Sequence, residues 1–470
     1  MRCGQDLSYH QADEPSTNEY IKIEKAELLN DKTLVFKLSC SKQIRDCLLS
    51  DKIYIQYDRS IRGLDNSVLN IPAVSGLITI AWAHGADLYV EELDRTYLES
   101  LRKIQPVMTK MYPDFPSSKI NVRKIVSNRF CNDKYGLLLS GGVDSITSYI
   151  KHRSKKPELI YVWGIDVRSH DTESWKKTLK MLENFSAREG VRINVIRTNI
   201  YEMLDKDFLR RKFGLDWWQN VSFGIALTGL CAPLTCVADV KYLLIAAGVT
   251  PAACRYPSGS IPLANNNLSW GDIQVFQDNL ELSRQLKIRY FLKDFAENYF
   301  HPFLKVCNKI EEPASNCGVC EKCYRTIVGL VVEGIDPVKC GFNNVDRETF
   351  EKIKERFYNN SLLTRKFFIE SRGEFYIRMT DVFLWEDIHQ HIPEKINHNV
   401  RGSKEFLEWF RSFNLSRYIQ HANNNVVISP FHILYNCAPY FSDHIPKNMR
   451  IATNRLLKSL AHRYEKIRWK

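Results

Sequence analysis

The chain has 470 residues, of which 44% are hydrophobic and 26% charged, so it is a folded protein of two or three domains rather than a disordered polymer. No uninterrupted apolar run reads as long enough to span a bilayer, and Met1–Asp6 carries no apolar signal core, so a cytoplasmic protein with no membrane partner is expected. The 13 cysteines then read as core thiols or metal ligands, and the net charge of +12 leaves anionic partners open.

Residues 1–130 read as a mixed α+β module. Tyr20–Ile23, Thr33–Leu38 and Ile53–Tyr57 carry the alternation and β-branched enrichment of strands. Helices are expected over Pro72–His84 and Glu92–Met111, and one more strand over Lys119–Val126. This stretch holds neither a phosphate loop nor a ligand cluster, which suits a substrate, partner or oligomer module; a homodimer is one option.

Residues 131–335 change pattern. Apolar strands are expected over Tyr135–Leu139, Leu159–Ile165, Ile193–Arg197 and Tyr242–Ala247, with helical stretches between them. That alternation predicts an α/β fold, a doubly wound parallel sheet covered on both faces. Ligands in such sheets sit beyond the carboxyl ends of the strands. Asp166, Asn199 and Gly248 thereby become candidates for ligand contact, with helix capping as the plain alternative for the two polar side chains.

The first strand runs into Ser140-Gly141-Gly142-Val143-Asp144-Ser145 and then straight into a helical segment. Paired glycines allow a backbone turn with φ > 0, and the helix adds unpaired first-turn amides and its positive dipole end. Together they form an anion cradle that differs from both the lysine-bearing phosphate loop and the G-x-G-x-x-G fingerprint. Ser140 and Ser145 read as hydroxyl donors, and Asp144 as a loop-orienting or Mg²⁺-contacting carboxylate. Farther on, the Gly/Asn/Ser-rich segment Ser258–Asp272 reads as a lid or as a plain loop.

Cys307, Cys317, Cys320 and Cys323 are spaced C-x9-C-x2-C-x2-C. Four thiolates with C-x2-C pairs suit a closed tetrahedral zinc site, with an iron–sulfur cluster as the alternative.

The six-residue loop, followed some 160 residues later by four cysteines, resembles the 7-cyano-7-deazaguanine synthase family of the PP-loop ATP pyrophosphatases. The likeness covers about Tyr135–Leu330. It implies that Ser140, Gly141, Gly142, Val143, Asp144 and Ser145 bind the phosphates of ATP together with Mg²⁺. It further implies that the four cysteines hold Zn²⁺, and that Arg325 lies near nucleotide or substrate. An ATP-dependent ligase that adenylates a carboxylate or amide for C–N bond formation follows, acting on a small molecule or a peptide. The family's substrate segments have no clean counterpart, since Cys254–Leu263 and Asn265–Asn267 stand in their place.

Residues 336–470 read as helical and aromatic-rich. Asp387, His389 and His391 are read as polar surface residues rather than a ligand set. The stretch Lys447–Lys470 holds eight Lys/Arg and one Glu, read as a solvated helix before a nucleic-acid contact. An RNA-modifying, for example thiolating, enzyme and a non-catalytic nucleotide-binding regulator remain as alternatives; for thiolation, Cys231 and Cys236 are widely spaced.

Overall fold

The computed structural model describes residues 19–250, 258–307, 315–359, 365–369, 374–378, 382–396 and 400–417, so the basic stretch Lys447–Lys470 lies outside the described residues. The strands are β1 (Tyr20–Ile23), β2 (Glu27–Asn30), β3 (Thr33–Cys40), β4 (Lys52–Tyr57), β5 (Asp87–Asp94) and β6 (Ile120–Val126) in the first part of the chain. They continue as β7 (Lys134–Leu138), β8 (Glu158–Trp163), β9 (Ile193–Thr198), β10 (Val240–Ala246), β11 (Ser269–Trp270) and β12 (Ile273–Asp278). Helices used below are α1 (Ile71–His84), α2 (Arg95–Met111), α3 (Val143–His152), α4 (Thr172–Glu189), α5 (Arg284–Lys287), α6 (Glu321–Val332), α7 (Arg347–Tyr358), α8 (Val382–Gln390) and α9 (Ser403–Ser412).

The fold is α/β, built on one 12-stranded sheet in the order β11-β12-β10-β7-β8-β9-β4-β3-β1-β5-β6, with β2 paired to β3. Its centre, β12-β10-β7-β8-β9, is parallel throughout. From β7 the chain winds outward through β8 and β9, then returns to the other side of β7 through β10 and β12. That reversal leaves a crevice between the carboxyl ends of β7 and β10. The sheet does not stop at the first module: β4 pairs antiparallel with β9, Ile55 opposite Thr198. Asn199 cements this join, accepting from the Tyr54 amide at 3.0 Å and donating to the Lys52 carbonyl at 2.9 Å.

Strand alternation sends side chains to two cores. Leu138, Ile160, Val162, Leu243 and Ile245 face one, with α1 against them, while Leu137, Leu139, Tyr161, Trp163 and Leu244 face the other, with Val143, Ile146 and α6. The first core also holds Trp217–Val237, a 21-residue stretch long and apolar enough to cross a bilayer, 78% of its most apolar window being buried within the protein. Its length corrects the expectation that no such run exists, and its apolar surface here packs against protein.

Some boundaries differ from the sequence reading. Residues Glu92–Asp94 end strand β5, and α2 starts at Arg95 because the Asp94 carboxylate caps it, accepting from the Tyr97 amide at 2.9 Å. Strand β8 stops at Trp163 since Gly164 turns with φ +117, where a Cβ would stand 1.8 Å from the Thr198 carbonyl. Residues Ser258–Asp272 are packed rather than free to close: Trp270 is fully buried, its indole donating to Thr235 Oγ1 at 3.0 Å. Beyond residue 336, α7, α8 and α9 are joined by an antiparallel pair, β13 (Arg365–Ile369) and β14 (Glu374–Arg378), so the described part is not wholly helical.

Asp278, which ends β12, ties α3 to the sheet, accepting from Ser148 Oγ at 2.6 Å, Lys151 Nζ at 3.0 Å and His152 Nε2 at 3.0 Å. Burial pushes its carboxyl up, but hydrogen bonds from His152, Ser148 and Lys151 outweigh that and bring it from 3.8 down to about 2. A depressed carboxylate stabilises the fold above its unfolded value and loses that contribution as pH falls through the folded one. Asp278→Asn is therefore expected to cost about 2 kcal/mol at neutral pH and to flatten the acid limb toward pH 2. Urea melts at stepped pH give the comparison; an unchanged acid limb contradicts it.

Candidate functional site

The loop after β7 lies at the crevice. Gly141 turns with φ +82, and Gly142 caps α3 in extended conformation without a side chain. The amides of Val143, Asp144 and Ser145 form the first turn and lack intrahelical acceptors, the arrangement that binds anions. The loop is braced from within. Ser140 Oγ accepts from the Gly142 amide at 3.3 Å and lies 3.2 Å from Ser145 Oγ, which donates to the Gly142 carbonyl at 3.1 Å. Ser140 is exposed at the mouth and Ser145 is buried.

Asp144 does not face solvent alone. Arg284 grips its carboxylate at 2.6 Å through one terminal nitrogen and 3.3 Å through Nε, and Lys287 Nζ stands 3.7 Å away. Burial raises the Asp144 carboxyl, yet the charges of Arg284, Lys287 and Arg325 more than offset it, so the group is held below the ordinary carboxylate range. Lys287 is fully buried; desolvation pulls its ammonium down, and its Nζ donates to the Ala247 carbonyl at 2.6 Å. Arg284 also reaches the Gly248 carbonyl at 3.3 Å. Asp144, just past β7, and Gly248, just past β10, are thus brought together by Arg284 of α5.

The other expected residues fall elsewhere. Asp166 is exposed on the turn after β8 and caps no helix, that role for α4 belonging to Asp171. Asn199 is spent on β4. Arg325, in the first turns of α6, is 4% exposed and pairs with Glu321 at 3.1 Å, so it acts on Asp144 through its field. Asp387 is drawn inward rather than left on the surface: it accepts from the Gln285 amide at 2.9 Å and contacts His391 at 3.3 Å. Arg284 and Lys287 were missed in the sequence because nothing local marks them. Their i, i+3 spacing on one short helix face, soon after a strand, was the one available signal.

The four cysteines converge. Cys307 and Cys320 sulfurs lie 3.9 Å apart, Cys317 and Cys323 3.9 Å, and Cys320 and Cys323 3.5 Å, all four within 4.8 Å of one another. A tetrahedron of thiolates at about 2.3 Å from a metal has edges of about 3.8 Å, whereas a disulfide needs about 2.05 Å. The set could hold a metal such as zinc. Contact with Cys323 is the largest influence on Cys320 and holds its thiol well below the ordinary range, toward the thiolate that a metal takes. Among the described residues no other group of three such ligands is found.

This cluster is wired to the loop. The Lys305 amide donates to the Gly141 carbonyl at 2.8 Å, two residues before Cys307. Asn316, beside Cys317, receives the Val306 and Cys307 amides at 3.0 and 3.3 Å and donates to the Leu304 carbonyl at 2.6 Å. Comparison with protein-family models, curated proteins and solved structures finds no match to the chain.

Cys320→Ser is expected to lower bound metal from about one ion per chain to none, read by elemental analysis. With the ion gone, amide exchange at Lys305 should accelerate; unchanged protection there would show the loop independent of the cluster.

Proposed function

We propose that this chain is an ATP-dependent adenylating enzyme that cleaves ATP to AMP and pyrophosphate, with zinc in the four-cysteine site. The observation that carries the reading is the anion cradle Ser140–Ser145 at the crevice between β7 and β10, with two cations fixed against Asp144. An oxygen of the acceptor, from a carboxylate or amide, attacks the α-phosphorus of ATP. The bond to the bridging oxygen breaks, and its electron pair leaves with pyrophosphate. An amine or ammonia then displaces AMP from the activated carbon, forming the C–N bond.

Each local group has a part in this. The amides of Val143, Asp144 and Ser145 meet the charge that develops on the leaving phosphate, and Ser140 adds a hydroxyl donor at the mouth. Asp144 is a positioning residue: its carboxylate aims Arg284 along the crevice, where a guanidinium fork can take phosphate oxygens, while the buried Lys287 adds its positive field from behind. Mg²⁺ would be held chiefly by the phosphates, whose charge it offsets, since Asp144 is committed to Arg284. Zinc would hold Cys307, and so Lys305, against the loop; it has no open position for chemistry when four thiolates bind it. Cys231 and Cys236 are both raised by burial, and Cys231 is fully buried, which favours nitrogen chemistry over thiolation.

Purified protein given ATP and a metabolite or peptide extract is expected to release AMP and pyrophosphate in equal amounts. Asp144→Ala and Arg284→Ala should each lower this by about 10²–10³-fold. Full turnover in Asp144→Ala sinks the assignment, and iron in place of zinc overturns the metal reading.

A further inference from the structure

The first part of the sheet is covered on one face only. Ile21, Ile23, Phe36, Leu38, Ile53 and Val90 are buried in the core shared with α1, whereas their alternates Lys22, Lys37, Lys52, Gln56, Glu91 and Arg123 are exposed. Among the described residues no helix packs on this second face, which runs across β4-β3-β1-β5-β6. A groove of about 710 Å³ opens on its outer part, with Lys22, Lys25, Tyr89, Lys119, Asn121 and Arg123 in its lining.

The charges here do not balance. The acids that line the groove are all taken: Glu24 by Lys22 at 3.5 Å, Glu91 by Arg123 at 2.8 Å and Glu92 by Lys124 at 3.2 Å. Asp87 is buried and accepts from the Lys119 amide at 3.0 Å. Lys25, Lys37, Lys52 and Lys119 are left over, exposed and in no ion pair among the described residues. Lys37 and Lys52 stand directly opposite each other on β3 and β4, and like charges in that relation repel. An anion lying across the strands removes the repulsion.

Aromatic rings are set among these cations. Tyr89 lies beside Lys22 on β1 and Asn121 on β6, while Tyr54 follows Lys52 by two residues on the same face. Both rings are half-buried, so each is held by the sheet and still keeps surface open to solvent. With strands about 4.8 Å apart, β4 and β5 bring Tyr54 and Tyr89 on the order of 14 Å from each other. An acidic peptide satisfies the lysines but brings no planes to stack on the rings. A duplex brings phosphates but hides its bases. A single strand offers phosphates and bare bases together.

We propose that this face binds single-stranded nucleic acid, with phosphates on Lys37, Lys52 and the groove lysines and bases stacked on Tyr54 and Tyr89. The surface lies strands away from the crevice at β7 and β10, and its assignment does not rest on the adenylation reading.

The test is fluorescence anisotropy of the full chain without ATP, using labelled oligo(U), oligo(dT) and a duplex, each about twelve nucleotides long. Single strands are expected to bind at least about tenfold more tightly than the duplex. The double variant Lys37→Ala, Lys52→Ala should lower that affinity about tenfold and flatten the salt dependence by about 1.4 in log–log slope, with the melting temperature held or raised. Tyr89→Leu should cost about fivefold, and Tyr89→Phe, which keeps the ring, should cost nothing. The oligo(U) and oligo(dT) arms separate RNA from DNA as the source, and binding of neither overturns the proposal. Duplex or polyglutamate binding as tight as that of the single strands also overturns it, since the face is then a general anion surface. So does full affinity in the double lysine variant, which moves the contact to Lys447–Lys470.

Discussion

The ion pair between Asp144 and Arg284 is the constraint on which the crevice depends. Asp144 opens α3, Arg284 opens α5, and the bond between them spans the gap between the carboxyl ends of β7 and β10. A carboxylate this buried would be raised and neutral without cations, so it needs Arg284 and Lys287. Lys287 is fully buried and equally needs Asp144 and the Ala247 carbonyl. Neither side is stable in this place without the other. The charges are therefore held ready at an anion cradle before any ligand arrives, which is the condition for electrostatic preorganisation.

A second constraint acts on the backbone rather than the charges. A glycine turn with φ +82 is intrinsically loose, and Gly141 has no side chain to anchor it. The Lys305 amide supplies that anchor, and Lys305 is fixed in turn by Cys307 and by Asn316. The cysteine cluster stands off the crevice, yet the backbone that carries Cys307 reaches the loop through the Lys305 amide. Helix α8 adds to this from the C-terminal region, since Asp387 caps α5 through the Gln285 amide and Trp385 donates to Glu321 at 3.0 Å. Residues nearly 250 positions apart in the chain thus share the task of holding six.

What could be read in the sequence followed period and spacing. The strands β7, β8, β9 and β10 announce themselves as short apolar runs, the loop by its glycines, and the cysteines by their pairs. The misses have physical causes. Strand β12 reads Ile-Gln-Val-Phe-Gln-Asp, which keeps no strict alternation of polar and apolar residues and follows a segment rich in turn formers. Strand β5 ends in Glu-Glu-Leu-Asp, whose acidic residues resemble a helix start until Asp94 is seen to cap α2. The join of β4 to β9 was out of reach, because pairing across 140 residues leaves no local trace. Arg284 and Lys287 belong to the same class, as charged residues whose partner is set by topology.

The same topology keeps the charged groups of the crevice apart from the buried amide side chains of β12 and the segment before β11. The cradle, its cations and the cysteine cluster gather about β7, α5 and α6, whereas the buried amide side chains of Asn265, Gln277 and Asn279 lie in and around β12, on the far side of β10. Just past the end of β10, the Ala247 and Gly248 carbonyls are taken by Lys287 and Arg284. A change in those amide side chains therefore leaves the ion pair that shapes the loop untouched. The two sets of residues stand on opposite sides of a strand, and no hydrogen bond among the described residues links the side chains of Asn265, Gln277 and Asn279 to those of the Ser140–Ser145 loop.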